Sequence, residues 1–163
     1  NMPDFRAAER CFMLITQTAG RAGRHTEQGR VVIQTYNPEH YAVTCGIAQD
    51  YEGFYKQELF LRQQLFYPPY SRIVKLLYQN TDEAAAKANA AQFVAAFNQH
   101  FHGDKRQQVI GPSPAVIARF RDMYRFVVLI KTADLPSVQA FLQEQQLHLR
   151  TDIAIDIDPI TML

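Results

Sequence analysis

The pattern of apolar and polar positions is clearest in the second half of the chain, from Ser71 onward. Segments with the spacing of regular elements follow in the order strand, helix, strand, strand, helix, strand: 73–78, 82–101, 108–118, 124–131, 134–146 and 149–157. Thr81 is the predicted N-cap of the first helix, and Arg121-Asp122 is the predicted turn between the two middle strands. The last strand alternates apolar and polar residues, as a half-buried edge strand does. The pattern therefore predicts an α+β ferredoxin-like domain, a four-stranded antiparallel sheet with two helices on one face.

The first part of the chain predicts a helix followed by a strand. Residues 4–18 have helical spacing with Asp4 as the N-cap, and residues 30–36 are rich in β-branched side chains, which predicts a buried strand. Within the helix, Glu9 is expected either to pair with Arg6 on the surface or to brace one of the arginines at 21 and 24. A lone helix and strand cannot close a core. We therefore expect this part to be the end of an α/β lobe whose other elements precede it.

The middle of the chain predicts helical structure that ends at a proline pair. Residues 39–66 predict two helices, or one helix broken near Gly46, and residues 50–64 form the longer amphipathic segment. The sequence Tyr-Pro-Pro-Tyr at 67–70 ends helical structure, because proline cannot continue a helix and biases the preceding residue to extended geometry. The predicted division of the chain has three segments: 1–38, 39–68 and 69–163.

Composition narrows the class of protein without identifying a function. The 163 residues are 47% hydrophobic and 20% charged, which is typical of a globular domain with a core but too short for a two-lobed motor. The net charge of +1 means that nucleic-acid binding would have to rest on local basic patches. Cys11 and Cys45 lack metal-site spacing and are expected to be free thiols. No membrane-spanning run or secretory signal is evident, so we expect a cytoplasmic protein with no membrane partner.

The segment Gln17 to Arg24 is the strongest candidate for a chemical site. Arg21 and Arg24 each follow a glycine, Gly20 and Gly23, which predicts a compact turn that lets both guanidinium groups reach one anion. Guanidinium groups match phosphate oxygens in a bidentate manner and stabilise charge in phosphoryl transfer. Gln17 lies one turn upstream if the segment is helical, where it could orient a water or hydroxyl group. The alternative is a glycine-containing turn without a ligand.

A second candidate is the predicted hairpin in the second half of the chain. Its basic residues alternate with aromatic ones against a single acid, Asp122, and the residues predicted to bind DNA are Arg119, Arg121, Tyr124 and Arg125. Arginines beside aromatic rings suit contact with the nucleic-acid backbone together with base stacking. The alternative is a solvated hairpin whose aromatic side chains belong to the core, Phe126 first among them.

Two further groups of residues have some of the features of metal sites. His100 and His102 flank one phenylalanine, but no carboxylate or cysteine completes a ligand set. Asp152, Asp156 and Asp158 recur at even spacing, so on one strand face they could form an acidic dyad or a magnesium site. Alternation on a solvent-facing strand explains them more simply. We predict no metal site in these residues.

The segment 17–24 resembles motif VI of superfamily-two helicases, whose pattern is Q-x-x-G-R-x-G-R. Together with it, blocks in other parts of the chain resemble the C-terminal part of the PriA family of bacterial replication-restart helicases: 3–10 (PDFRAAER), 34–40 (QTYNPEH), 50–55 (DYEGFY), 67–70 (YPPY), 111–115 (GPSPA) and 156–159 (DIDP). The blocks keep the order of the family and extend over nearly the whole chain. The family's Walker A lysine, Walker B acids and zinc-binding cysteines do not occur among these residues.

This resemblance implies the end of a RecA-like helicase lobe, a helical connection and a ferredoxin-like C-terminal domain that binds DNA and partners. It implies an ATP-dependent 3′ to 5′ DNA helicase for primosome assembly, in which Arg21 and Arg24 contact the γ-phosphate, Gln17 leads the motif and Gly20 and Gly23 approach the nucleotide. ATP and Mg²⁺ are the implied cofactors of the intact protein, and zinc is expected only upstream of this chain. The implied partners are forked and single-stranded DNA, single-stranded DNA-binding protein and other primosome proteins.

Two functions of different classes follow from these observations. The first is a C-terminal fragment of such a helicase, inactive by itself, that contributes arginine fingers and a DNA- or partner-binding domain. The alternative is a non-enzymatic nucleic-acid or protein interaction module, in which the arginines contact nucleic-acid phosphate rather than ATP.

Overall fold

A computed structural model describes residues 4–22 and 30–162, with Ala22 described by its backbone alone. These residues divide into two compact units, a helical unit that ends at Leu65 and a sheet unit that begins at Phe66. The helices of the helical unit are α1 (Ala7–Ala22), α2 (Tyr41–Ala48) and α3 (Tyr51–Gln64). The elements of the sheet unit are β1 (Arg72–Asn80), α4 (Glu83–His100), β2 (Gln107–Phe120), β3 (Met123–Thr132), α5 (Leu135–Glu144) and β4 (Ile153–Ile157), with a short 3₁₀ turn at Leu147–Leu149. The predicted three-part division of the chain stays a prediction.

The helical unit has a small aromatic core. Phe12 of α1 stacks on Phe54 of α3, with 4.3 Å between the ring centroids, and Ala42 and Cys45 of α2 complete the buried cluster. Cys11 packs against this cluster, and both cysteines are free thiols. Because so few large apolar side chains are buried here, polar contacts between the helices contribute much of what defines their arrangement.

The prediction of two helices in the middle of the chain is confirmed, although the break lies after Gly46 rather than at it. Gln49 adopts a left-handed backbone with φ of 55°, and the Asp50 carboxylate accepts the Gly53 N–H at 2.9 Å as the N-cap of α3. Gly46 has a different role. A Cβ at this position would lie 2.9 Å from Cγ2 of Ile15, so the glycine permits the close approach of α1 and α2.

The prediction of a buried strand at residues 30–36 is wrong. No regular element forms there, and Val32 and Tyr36 are largely exposed. A strand requires a neighbouring strand to pair its backbone N–H and C=O groups. Within residues 4–22 and 30–65, no strand is available as such a neighbour. β-branched composition alone therefore does not produce a strand in this unit.

The predicted ferredoxin-like fold is confirmed in the sheet unit. The strands lie in the order β2-β3-β1-β4, and each neighbouring pair is antiparallel. The core lies between this sheet and helices α4 and α5. Its largest buried side chains include Tyr78, Phe97 and Phe141, with Val128 and Ile130 from the central strand. Alternate residues of β1 and β3 thus face the helices, as the period of a strand requires.

The other face of the sheet is also apolar in its centre, where Ile73, Val127 and Leu129 are buried. Lys131 lies on the same face, and its Nζ atom is 3.7 Å from the centroid of the Tyr67 ring. Burial lowers the pKa of the Lys131 ammonium group. The Tyr-Pro-Pro-Tyr segment thus contributes an aromatic ring to the packing of a buried lysine.

Element boundaries differ from the sequence-based expectations at three places. Asp82, rather than Thr81, is the N-cap of α4, because its carboxylate accepts the Ala84 N–H at 2.8 Å. β2 continues to Phe120 by bulging, and β4 starts only at Ile153. The first bulge centres on Gly111, where φ is 114° and a Cβ would lie 2.7 Å from the Val127 carbonyl oxygen.

Candidate functional site

The described part of the arginine motif is helical. Gln17, Gly20 and Arg21 lie in the last two turns of α1, so the predicted compact turn is wrong for these residues, and Gln17 is indeed one turn before Arg21. Gln17 and Arg21 share an exposed helix face because they are four residues apart. Apart from the chain neighbours of Gly20 and the adjacent backbone of α1, no described atom lies within 4 Å of a Cβ built at Gly20. Gly23 and Arg24 lie outside the described residues.

Gln17 lines an open groove on the helical unit. The groove has a volume of about 640 Å³ and runs beside α1, and its lining includes Met13, Leu14, Tyr51 and Arg10. Thr16 also lines it, but its hydroxyl group donates to the Phe12 carbonyl oxygen at 2.9 Å. The exposed side of α1 thus presents an amide beside an apolar surface.

A buried polar network connects the three helices of the helical unit. Arg62 of α3 donates from Nε to the Glu58 carboxylate at 2.7 Å and from Nη2 to the Glu9 carboxylate of α1 at 2.9 Å. The Tyr41 hydroxyl group of α2 donates to the other Glu58 oxygen at 2.5 Å. The Arg62 guanidinium carbon also lies 5.2 Å from the Phe5 ring centroid. Arg62 therefore fixes α1, which carries Gln17 and Arg21, to the other two helices.

The low solvent exposure of this network shifts the pKa of one of its groups. The side chains of Glu58 and Arg62 are 10% and 14% exposed. Burial raises the pKa of the Tyr41 hydroxyl group, and the adjacent Glu58 carboxylate raises it further. Tyr41 therefore remains a neutral donor throughout the physiological pH range. Glu9 pairs with Arg62, across 53 residues of sequence, a partner that neither expectation for Glu9 named.

The β2–β3 hairpin brings together all four residues predicted to bind DNA. Arg119 donates to Asp122 at 2.9 Å, and its guanidinium carbon lies 5.3 Å from the Tyr124 ring centroid. Two other guanidinium groups lie over the Phe120 ring, that of Arg121 at 5.2 Å and that of Arg125 at 5.9 Å. The predicted turn at Arg121 and Asp122 is confirmed, with φ of 49° and 61°. The hairpin thus concentrates positive charge around aromatic rings.

The hairpin carries a second bulge next to these arginines. Pro114 pairs with Phe126 and Arg119 with Tyr124, so residues 115–118 of β2 lie opposite Arg125 alone. Arg125 Nη1 donates to the Ile117 carbonyl oxygen at 3.5 Å, a long contact that holds the bulge. The extra backbone places side chains of this stretch in solvent, a property that alternation in the sequence does not reveal.

The aspartates proposed as an alternative magnesium site face separate cations. Asp152 accepts from Arg150, Asp158 accepts from Arg72, and Asp156 lies in register with Lys75. In each of the two direct pairs the arginine lowers the pKa of the carboxyl group. His100 packs against the Phe141 ring, with 4.7 Å between centroids. In the described part of the chain, no group of three or more His, Cys, Asp or Glu residues is arranged to hold a metal ion.

Sequence reasoning missed the network around Arg62 and the bulge of the hairpin. The spacing of Glu58 and Arg62, four residues apart on one helix, was a signal for part of the network. Nothing in the nearby sequence indicated Tyr41 or Glu9 as partners.

Among the described residues, no helix is long and apolar enough to cross a membrane.

Comparison with known proteins gives consistent matches. A family model described as "Primosomal protein N C-terminal domain" matches residues 63–160. Replication restart protein PriA of Treponema pallidum is 38% identical over 167 residues, with 99% of this chain and 25% of that protein covered. The protein of the same name from Bacillus subtilis is 37% identical, with 100% of this chain and 21% of the relative covered, and that from Synechocystis is 35% identical, with 99% and 20% covered. The chain thus spans a quarter or less of these relatives.

Proposed function

The chain belongs to the primosomal protein N C-terminal domain family, and from this membership we propose that it is the C-terminal part of an ATP-dependent 3′ to 5′ DNA helicase for replication restart. The relatives are named replication restart protein PriA, and the matches extend over both the helical unit and the sheet unit. Forked and single-stranded DNA, single-stranded DNA-binding protein and other primosome proteins are the proposed partners in the cytoplasm. Zinc is proposed to bind the intact protein only upstream of this chain.

The helical unit is proposed to supply arginine fingers to ATP and Mg²⁺ held by the rest of the intact protein. Support comes from the exposure of Gln17 and Arg21 on one face of α1 and from the fixation of that helix by Arg62. A fixed helix holds a guanidinium group in place before charge develops on the transferred phosphoryl group, which is where electrostatic stabilisation is most effective. Arg24 follows the same helix in the sequence and is proposed to act with Arg21.

Single-turnover and steady-state ATP hydrolysis by the intact protein test this role. Arg21→Ala and Arg24→Ala should each lower kcat at least about a hundredfold with little change in affinity for forked DNA, because the arginines act on transition-state charge. Lys56→Ala, which removes an exposed cation from α3 of the same unit, is the control and should retain normal turnover. Normal hydrolysis by the Arg24 variant would refute the assignment and favour the alternative of a non-enzymatic module.

The sheet unit is proposed to bind DNA through the β2–β3 hairpin. The observation that carries this proposal is the concentration of Arg119, Arg121 and Arg125 at one hairpin end, against Asp122 as its acid. Guanidinium groups at a hairpin end can contact phosphates, and the adjacent Tyr124 ring adds a stacking surface. Such contacts release counterions, so affinity must fall as salt rises.

Fluorescence titration of the chain with labelled forked and single-stranded DNA tests this second role. Affinity should fall steeply between 50 and 200 mM salt, and Arg121→Ala should reduce the slope of log affinity against log salt by about 1. Arg106→Ala removes an arginine of the same unit that pairs with Asp104 away from the hairpin, and it is the control. Absence of binding even at low salt would contradict DNA recognition by this domain and leave protein docking as its role.

A further inference from the structure

A small polar pocket lies in the sheet unit, with a volume of about 160 Å³. Residues of β1, of α4 and of the segment from the end of α5 to β4 line it, and none of the described residues that line it belongs to β2 or β3. Its polar lining residues are Tyr78, Asn89, Gln92, Gln145 and Arg150. We refer to it as the Tyr78 pocket.

The Tyr78 hydroxyl group is the first sign that this pocket holds a ligand. Tyr78 is 1% exposed, and its hydroxyl group has no hydrogen-bond partner among the described residues. Burial raises the pKa of this group, while Arg150 lowers it and Asp152 raises it, so the hydroxyl lies close to that ion pair. The raised pKa keeps the group a neutral donor. A buried donor without a partner is unfavourable and needs an acceptor from outside the fold.

Arg150 supplies a second donor to the pocket. Its Nε atom donates to the Asp152 carboxylate at 3.0 Å and its Nη2 atom donates to the other oxygen, whereas Nη1 makes no hydrogen bond to the described residues. None of the described residues that line the pocket is an acid. The lining therefore suits an anion. Because Asp152 already offsets the charge of Arg150, a ligand with a single negative charge fits better than one with two.

The size and the walls of the pocket restrict that anion further. The volume equals about five water molecules at ~30 Å³ each, which is too small for a nucleotide. Phe93 and Leu147 add apolar surface to the lining, where a short aliphatic group would pack. Gln92, Gln145 and Arg150 are long and exposed, so their side chains can rotate and admit a ligand without disturbing the core.

We propose that the Tyr78 pocket binds a small monocarboxylate of about two to four carbon atoms. One carboxylate oxygen accepts from the Tyr78 hydroxyl group and the other from Nη1 of Arg150, and both are charge-assisted hydrogen bonds. The bound ligand connects α4 to the segment between α5 and β4. This inference rests on neither the proposed DNA contacts nor the proposed arginine fingers, so it stands or fails separately from them.

The test is a titration of the complete ¹⁵N-labelled chain with sodium acetate, in which sodium chloride keeps the ionic strength constant and amide chemical shifts report binding. Saturable shifts should be confined to the segments that line the pocket. Tyr78→Phe and Arg150→Gln should each weaken acetate binding about tenfold, because each removes one hydrogen bond to a charged group. Arg106→Gln is the matched control, since Arg106 also bonds an aspartate two residues away through Nε and Nη2, and it should bind acetate normally.

Urea unfolding in acetate-free buffer provides a second measurement. Tyr78→Phe removes no hydrogen bond between described residues, so the variant should be at least as stable as the unaltered chain. A loss of stability would mean that an ordered water already bonds the hydroxyl group in the free fold, which overturns the inference. Shifts that do not saturate, or acetate binding that Tyr78→Phe leaves unchanged, would overturn it as well.

Discussion

Arginines in the two units occupy opposite environments. Arg62 in the helical unit is enclosed and paired with Glu58 and Glu9, whereas Arg121 and Arg125 in the sheet unit lie over a half-exposed ring. The same residue type therefore serves packing in the helical unit, whereas in the sheet unit it is proposed to contact DNA. The difference teaches that charge alone does not identify a binding residue. What separates the two environments is enclosure with carboxylate partners, as at Arg62.

The cores explain why the helical unit uses a charged residue in this way. The sheet unit buries a continuous cluster between its sheet and helices α4 and α5, with several phenylalanines in mutual contact. In the described part of the helical unit, the buried cluster is small and consists of Phe12, Ala42, Cys45 and Phe54. Because the core is small, the orientation of α1 depends on directional hydrogen bonds and ion pairs. Arg62, with a planar group and five donors, bonds Glu58 and Glu9, and Glu58 in turn accepts from Tyr41 of α2.

Arg62→Ala is expected to cause the largest loss of stability. Removal of the guanidinium leaves Glu58 buried with its charge unpaired, which costs about 3–5 kcal/mol for an enclosed pair. The helical unit should lose most of its stability, and the sheet unit should remain folded. Amide hydrogen exchange measures this directly, because protection should be lost in α1 and α3 and retained in β1 and β3.

Lys56→Ala in the same helix is the matched control for this prediction. Lys56 pairs with Glu52, but both side chains are at least 70% exposed, so the change should be within about 0.5 kcal/mol. A loss of less than about 1 kcal/mol for Arg62→Ala would remove the distinction between the two classes of arginine.

Much of the sheet unit could be predicted from the sequence because its elements are defined by local periodicity. The apolar run at 124–131 and the phenylalanine spacing at 82–101 correspond to β3 and α4 with small shifts at the ends. The bulges of β2 could not be predicted, since they depend on how Gly111 and Arg125 fit against the partner strand. The local sequence determines where a strand forms. The contacts between two paired strands determine where a strand bulges.

The helical unit was less predictable because its arrangement depends on contacts between distant residues. Glu9 and Arg62 are 53 residues apart, and neither has a local feature that indicates the other. The run 30–36 had the composition of a strand but has no neighbouring strand in the described part of this unit. For the candidate site, the motif located Gln17 and Arg21, and the structure added that they share a helix face.

Gly46→Ala should cause the next largest loss of stability. It tests whether close packing between α1 and α2 also holds α1 in place. The new methyl group would meet Cγ2 and Cβ of Ile15 at 2.9 and 3.0 Å. Overpacking costs about 1–3 kcal/mol, and the higher helix propensity of alanine offsets about 1 kcal/mol of it. Chemical denaturation followed by circular dichroism at 222 nm should therefore show a net loss in the helical unit.

Gly20→Ala is the matched control, because it lies in a helix where no described atom would contact the added methyl group. That variant should be unchanged or slightly more stable, by about 0.5–1 kcal/mol. The double variant Gly46→Ala, Ile15→Ala should lose less stability than the sum of the two single changes. Simple additivity would show that the two helices do not depend on this contact.

A smaller contribution to stability is expected from the exposed ion pairs of the sheet unit. These pairs are the exposed counterpart of the enclosed Arg62 network. Arg72 and Arg150 hold the pKa values of Asp158 and Asp152 below their usual range. A carboxyl group with a lowered pKa in the folded state stabilises the fold above its unfolded pKa of about 3.9, and this stabilisation is lost as pH falls through the folded value. The thermal unfolding temperature should thus be constant from pH 7 to 5 and should fall below pH 4.

Asp158→Asn should make that decline shallower and should lower stability at pH 7 by less than Gly46→Ala does. High salt should weaken the contribution of Asp158, because its pair with Arg72 is exposed, while the Arg62 network should be little affected. An identical acid profile in the variant would show that this pair contributes nothing to the fold.

The smallest effect on stability is expected for Arg121→Ala, even though this residue is central to the proposed DNA contact. Arg121 occupies the hairpin turn with its guanidinium over a half-exposed ring, so its loss should change the free energy of unfolding by no more than about 0.5 kcal/mol. The same variant should lose DNA affinity at low salt. Urea unfolding and DNA titration of one preparation measure both quantities. A stability loss comparable to that of Arg62→Ala would mean that Arg121 is a structural arginine, and the contrast between the two units would then fail at the residue on which it depends most.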